Sequence, residues 1–548
     1  MFKVFGKIPR RGWTMAGQVS AAVLLAGLCA LAGCGKGEQA TAGVKERPET
    51  PLALGGNKKQ PDAPDFDGGV AWLNTAQPIN LEDLRGRIVL LDFWTLCCIN
   101  CIHTLPDLAK LEAKYPGVLV VIGVHTPKFP NEKRTSSIHK AILRYQIKHP
   151  VVNDAMQAIW RRYGISSWPT LVLIDPEGKY YGQISGEGRY EILDQHIGKL
   201  VKQFKAKKML KETPLDFALA KEETGPLCFP GKVLADAASK RLFIADSTNN
   251  RIVITDLAGR KIAVAGTGAE GKADGPFAKA TFSDPQGMAL DGNTLYVADR
   301  KNHSIRALDL KAETVSTVAG TGEQDRNGRG RSGPALKTGL NSPWDLLLHD
   351  KKLYIAMAGH HQIWTFDPEK EQVAPFAGNG AEDIGDGALA ESSFAQPSGL
   401  ASDGKNLYVA DSEISAIRAL PLDGKGEVKT IVGEGLFEFG DVNGQGNKVR
   451  LQHALGVAFR NGKLYVADTY NSKIKLIDPE KRTCETFKGE PSGWLSPGSF
   501  NEPGGLTFAG NKLYVADTNA HRIRVIDMDT GALTTLNLQG VEAPKRGK

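Results

Sequence analysis

Lys463-Leu-Tyr-Val-Ala-Asp468 is one of six near-copies of a single hexapeptide, and their spacing decides the architecture of most of the chain. The others are RLFIAD ending at Asp246, TLYVAD at Asp299, KLYIAM at Met357, NLYVAD at Asp411 and KLYVAD at Asp517. Successive copies lie about 49 to 58 residues apart, a period typical of repeat architectures. An apolar strand opened by Pro or Gly precedes each copy, as in Pro285-Gln-Gly-Met-Ala-Leu290, Pro397-Ser-Gly-Leu-Ala-Ser402 and Pro503-Gly-Gly-Leu-Thr-Phe508. A turn and a further strand follow, such as RIVITD, SIRALD or RIRVID, and then in most units a strand ending in Ala-Gly-Thr-Gly or a relative of it. Four short strands per unit and six units predict an all-β six-bladed propeller over residues 227–540, whose radial repetition protects the sheet edges. An open sandwich gives no reason for six copies of one motif.

Upstream of the repeats the pattern changes to alternating β and α over residues 65–207. Ile88–Trp94 and Val118–Val124 are near-continuous apolar runs, as expected of buried strands. The stretch from Cys98 to Tyr115 reads as a helix, as do Ser136–Tyr145 and Ala155–Tyr163. Trp168-Pro169 then leads into strand Thr170–Asp175, a Pro-Glu-Gly turn, strand Lys179–Ser185 and a last helix to about Phe204. That order suits a mixed sheet covered by helices, so the fold class is multidomain: an α/β domain, a linker at 208–226 and the propeller, with a tail at 541–548.

The first 33 residues read as a leader. Lys3, Lys7, Arg10 and Arg11 precede a short apolar run that ends Leu31-Ala32-Gly33-Cys34. That run is too short for a membrane span, which needs about 20 apolar residues, and it matches a secretory signal. The Leu-Ala-Gly-Cys ending resembles a bacterial lipobox, which implies acylation of Cys34, attachment to a membrane and a location in the bacterial envelope facing the periplasm. Residues 34–64 are polar and rich in Gly, Pro and Lys, and read as the acylated Cys and a disordered tether. A net charge of +7 on 548 residues is mild and gives no sign of a nucleic-acid partner.

Cys97, Cys98 and Cys101 crowd into five residues, directly after the Ile88–Trp94 strand and at the start of the next helix. In a Cys-x-x-Cys at a helix start, unpaired N–H groups and the helix dipole favour the thiolate of the first cysteine. The two-residue gap lets the second sulfur resolve a mixed disulfide. The same pair could be half of a zinc site, but no second Cys-x-x-Cys or His pair lies at zinc-finger spacing, and no metal is expected. Cys97 and Cys101 also form a Cys-x-x-x-Cys pair beside His103, which is copper-chaperone spacing without the downstream His motif of those proteins. Asp92 stands on the strand six residues before Cys98, where apolar surroundings would raise its pKa and let it take a proton from the resolving thiol. Pro106 falls inside the helix. The aspartates ending the repeat hexapeptides are expected to cap the turns that follow. Asn250, His303, His361, Ser415, Ser472 and His521, four positions further on, read as solvated loop residues, with anion or metal binding as the alternative.

These spacings resemble the thioredoxin superfamily, in its periplasmic TlpA-like and redoxin branch. The resemblance implies Cys98 as attacking thiol, Cys101 as resolving thiol, and Pro169, after Trp168, as a cis-proline that contacts substrate. No cofactor is implied beyond a redox-active Cys98–Cys101 disulfide. The chain departs from the usual pattern in carrying Cys97 where a Trp is common and Ile99-Asn100 between the two cysteines. The repeats resemble the NHL family. Trp72-Leu-Asn74, the Leu90–Cys101 segment, Phe129-Pro-Asn-Glu-Lys133 and His149-Pro-Val-Val-Asn-Asp154, followed by six NHL units, resemble the family of NHL repeat-containing protein 2. The implied function is an exported, membrane-anchored thiol–disulfide oxidoreductase. Its partners would be protein thiols or disulfides, with the propeller recruiting or shielding them and Cys97 as an auxiliary thiol. The alternative is a propeller-based binding or scaffold lipoprotein with a non-catalytic or metal-holding thioredoxin-like domain.

Overall fold

A computed structural model describes residues 53–54, 60–221, 225–327, 330–489 and 500–544. The leader, Cys34, most of the expected tether and the last four residues lie outside the described residues. No helix among the described residues is long and apolar enough to cross a membrane.

The first domain is a seven-stranded mixed sheet in the order β1-β7-β6-β3-β4-β5-β2. Its strands are β1 (Ala53–Leu54), β2 (Ala71–Leu73), β3 (Ile88–Trp94), β4 (Leu119–His125), β5 (Val151–Asn153), β6 (Thr170–Ile174) and β7 (Tyr180–Ser185). β3 pairs parallel with β4 and antiparallel with β6, and is buried along its whole length. Strand alternation sends Ile88 and Leu90 to one face, where they pack on helices α1 (Ile99–Lys114) and α4 (Tyr190–Ala206). Val89, Leu91 and Phe93 go to the other face, against Ile159 of α3 (Ala158–Arg162). The same period of two puts Asp92 on the α1 face.

Three boundaries differ from the sequence reading. Ala53–Leu54 pairs with β7 and Asp62 bridges to Lys179, so part of the segment expected to be a disordered tether closes a sheet edge. The helix expected over Ala155–Tyr163 begins only at Ala158, because Gln157 is left-handed (φ 54) and the Asp154 carboxylate accepts the N–H groups of Ile159 and Trp160 at 3.1 and 2.9 Å. Val541, placed in the tail, is buried in the cluster that joins blades one and six.

The propeller has six sheets. Blades two to five carry a fifth, two-residue strand on the outer edge (Gly275–Pro276, Gly333–Pro334, Gly387–Ala388, Gly444–Gln445) beyond the four expected. The repeated Asp does more than cap its own turn. Asp246, Asp299, Asp411, Asp468 and Asp517 each accept a backbone N–H from the loop entering their own blade, at 2.6–2.8 Å. In blade three Met357 replaces Asp, and its sulfur accepts the equivalent N–H of Asn341 at 3.4 Å.

The six residues four positions later, expected to be solvated, are buried or half-buried. All are left-handed, and each side chain accepts the backbone N–H of a residue entering the next blade. The pairs are Asn250–Asp284, His303–Ser342, His361–Gln396, Ser415–His453, Ser472–Glu502 and, closing the ring, His521–Phe229, at 2.9–3.3 Å. The six donors also have positive φ. Five of them (Phe229, Ser342, Gln396, His453 and Glu502) meet the first domain.

Candidate active site

Cys98 is the N-cap of α1, with extended backbone, and its sulfur accepts the N–H of Cys101 at 3.2 Å. Cys101 lies one turn in and is buried, while Cys98 keeps partial exposure. Asp92 is wholly buried, and neither carboxylate oxygen has a hydrogen-bond partner among the described residues. Burial pushes its pKa up to about 7, against the pull of His149, and its charge acts on the Cys101 thiol. The Asp92 carboxyl thus lies buried on the sheet face under α1, the helix that carries Cys101. Trp168-Pro169 is cis, and Trp168 joins Cys98 in one apolar cluster while packing on Trp160, ring centroids 4.6 Å apart.

One expectation does not hold. The Cys98 thiol is raised rather than lowered: burial raises it most, the Cys101 hydrogen bond lowers it, and the Glu413 and Glu382 carboxylates raise it further. Cys101 is pushed well above the usual thiol range by burial, then by its hydrogen bond and charge contact with Cys98. The order between the two agrees with Cys98 attacking. Cys97 is buried, and burial together with Glu132 and Glu413 holds its thiol well above the usual range.

The cause lies in the second domain, which packs directly over the helix start. Gln396, entering blade four, accepts the N–H of Ile99 at 2.9 Å and donates to the carbonyl of Cys97 at 3.0 Å. Lys128 pairs with Glu413, both side chains being almost fully buried. His103 bonds Ser342 at 2.6 Å, and Asn131 bonds Glu502 and Gln452 at 2.9 and 3.1 Å. Phe129 packs on Phe439 and Tyr470. Ile99 and Ile102 sit with Trp344 and Leu455 of the propeller.

Glu132 is the site residue that spacing alone did not single out, although it lies inside the Phe129–Lys133 motif. Its carboxylate accepts from Thr95 Oγ and from the N–H groups of Cys97, Lys128 and Phe129 at 2.7–3.1 Å, which fixes the loop ahead of the cysteines. Asn74 of the Trp72–Asn74 motif donates to the carbonyls of Ile147 and His149. Cys484 is a buried core residue of blade five. Among the described residues, no group of three or more His, Cys, Asp or Glu side chains is arranged to hold a metal ion.

Comparison with known proteins agrees with both halves. The thioredoxin-like family model matches residues 86–180, and the NHL repeat model matches 282–308 and 500–526. Protein SUPPRESSOR OF QUENCHING 1, chloroplastic, of Arabidopsis thaliana is 45% identical over 469 residues, covering 81% of this chain and 44% of that protein. NHL repeat-containing protein 2 of Bos taurus is 43% identical over 485 residues, covering 81% of this chain and 66% of that protein. The chain thus spans less than two thirds of the length of these relatives. Thiol-disulfide oxidoreductase ResA of Bacillus thuringiensis is 33% identical over 139 residues, covering 25% of this chain and 76% of that protein.

Proposed function

Given that the chain belongs to the family of NHL repeat-containing protein 2, a thioredoxin-like domain joined to an NHL propeller, we propose that it is a thiol–disulfide oxidoreductase working through Cys98 and Cys101. The observation that carries this reading is the Cys98–Cys101 pair at the start of α1 beside the unpartnered carboxyl of Asp92. In the reducing direction the Cys98 thiolate attacks one sulfur of a disulfide RS–SR′. The S–S bond breaks and R′S⁻ leaves, to be protonated by solvent. Asp92 takes the proton of Cys101, whose thiolate attacks the Cys98 sulfur of the mixed disulfide and releases RS⁻. The dithiol loses two electrons and the substrate gains them. The reverse sequence oxidises a dithiol. No bound cofactor enters this scheme.

The test is equilibration of the full chain with glutathione redox buffers, reading the Cys98–Cys101 disulfide by mass. A single two-electron transition with turnover of added disulfide supports the reading. A pair that forms no disulfide across the whole range removes it. The second reading, a binding or scaffold protein with silent thiols, is favoured by one observation: the propeller covers the helix start that would carry the chemistry. It requires a pair that never turns over, whether or not it titrates.

We also propose that the mature protein begins at an acylated Cys34 and faces the periplasm from a membrane. Support comes from the Leu31-Ala-Gly-Cys34 ending and the basic leader.

A further inference from the structure

The ground around an attacking sulfur is where a folded partner would dock, and here that ground is taken. A stable protein–protein contact needs about 800 Å² on each side. Gln396 and Glu413 of blade four lie over the residues flanking Cys98, and contacts from blades one, three, five and six continue around α1, α2 (Thr135–Tyr145) and the Lys128–Asn131 turn. Cys98 nonetheless keeps partial exposure, and beside it the loop leading to the cis Pro169 leaves Ser166 and Ser167 exposed. The sulfur is thus reachable while the helix face around it is covered.

We propose that the propeller restricts the Cys98–Cys101 site to low-molecular-weight disulfides and excludes disulfides carried on folded proteins. This rests on the oxidoreductase reading above and narrows its substrate class. The exchange balances as written there, with RS–SR′ a small disulfide that leaves as two thiols.

The experiment compares two oxidants on the reduced full chain: hydroxyethyl disulfide, small and neutral, and insulin. It is repeated on an Arg144→Glu, Asn131→Ala variant. Arg144 meets Asn519, Glu502 and the Phe229 ring, and the Asn131 side chain donates to Glu502, so these changes loosen the domain contact away from the sulfurs. The unmodified chain should oxidise readily with hydroxyethyl disulfide and only slowly with insulin. The variant should gain roughly tenfold or more with insulin and little with the small disulfide, because a substrate that needs the open form reacts in proportion to its population. Equal reactivity of the unmodified chain toward both oxidants overturns the proposal.

If neither oxidant reacts with either chain, the oxidoreductase reading falls. Closure is then judged by alkylation of Cys98 in the unmodified chain, which also serves if the variant fails to fold. Labelling by iodoacetamide but not by a maleimide coupled to a folded protein supports closure, and equal labelling overturns it.

Discussion

The side-chain carbonyl of Gln396 accepts the backbone N–H of Ile99 at 2.9 Å, joining blade four of the propeller to the first residue of the helix that carries the cysteines. This N–H is one of the orphan donors whose partial positive charge at the helix start favours a Cys98 thiolate. The propeller carbonyl therefore offsets part of the charge beside the sulfur it covers.

Replacing Gln396 with Leu should remove that offset. The midpoint of Cys98 alkylation against pH, mapped by peptide mass, should move down by a few tenths of a pH unit, since a charge at a helix terminus is worth about 0.3–1 kcal/mol. An unmoved midpoint would mean that Gln396 only packs. The Cys97 carbonyl loses its donor at the same time, so thermal stability should fall.

Asp92→Asn should slow exchange without unfolding the domain. Its folded pKa of about 7 stands above the ordinary 3.8, so the wild-type carboxyl contributes stability that is present below pH 3.8 and lost as pH rises toward 7. The difference in stability between wild type and Asn variant should shift in the variant's favour across that window. Unchanged exchange rates between pH 6 and 9 would leave Asp92 a purely structural residue.

Cys101→Ser should accumulate mixed disulfides that cannot be resolved, Cys98→Ser should trap nothing, and Cys97→Ser should leave exchange largely intact. Peptide mapping identifies the sulfur that holds the partner. Finding it on Cys97 would reverse the assignment.

His361→Leu should destabilise the ring by about 1–3 kcal/mol, because the N–H of Gln396 loses its buried acceptor. Burial lowers the His361 pKa from 6.5 to about 4, so the wild type loses stability as pH falls through that range and the variant does not. The gap between their unfolding midpoints should narrow from pH 7 to pH 4. A gap constant with pH would show that the imidazole is not held neutral.

Cys34→Ala should abolish acylation and leave the protein in the soluble fraction. Firm retention of the variant by membranes would refute the lipoprotein reading.

Much of this was legible in the sequence because the signals are local and periodic. Six hexapeptides fix the blade count, and period two along Ile88–Trp94 puts Asp92 under the helix that carries Cys101. The Cys-x-x-Cys spacing and Trp168-Pro169 name the site. The state of the Cys98 thiol was not legible, because it depends first on burial, to which propeller side chains contribute, and then on Glu413, an ordinary loop residue of a distant repeat. Nor was the use of the left-handed histidines. Repetition put them on one face, but only the fold shows each one facing a backbone N–H of the next blade. Packing between domains leaves no periodicity in either partner.

Ile99 and Gln396 are 297 positions apart, so a chain that emerges N-terminus first presents the segment to be held well before its latch. Domains fold N-terminal first, so each nascent chain passes through a stage in which α1 has formed and blade four does not yet exist. During that interval Cys98 sits on an uncovered helix start with the Ile99 N–H free and Glu413 absent. Its thiol is then at its most acidic and most open to any oxidant in its surroundings, and completion of the ring ends that exposure.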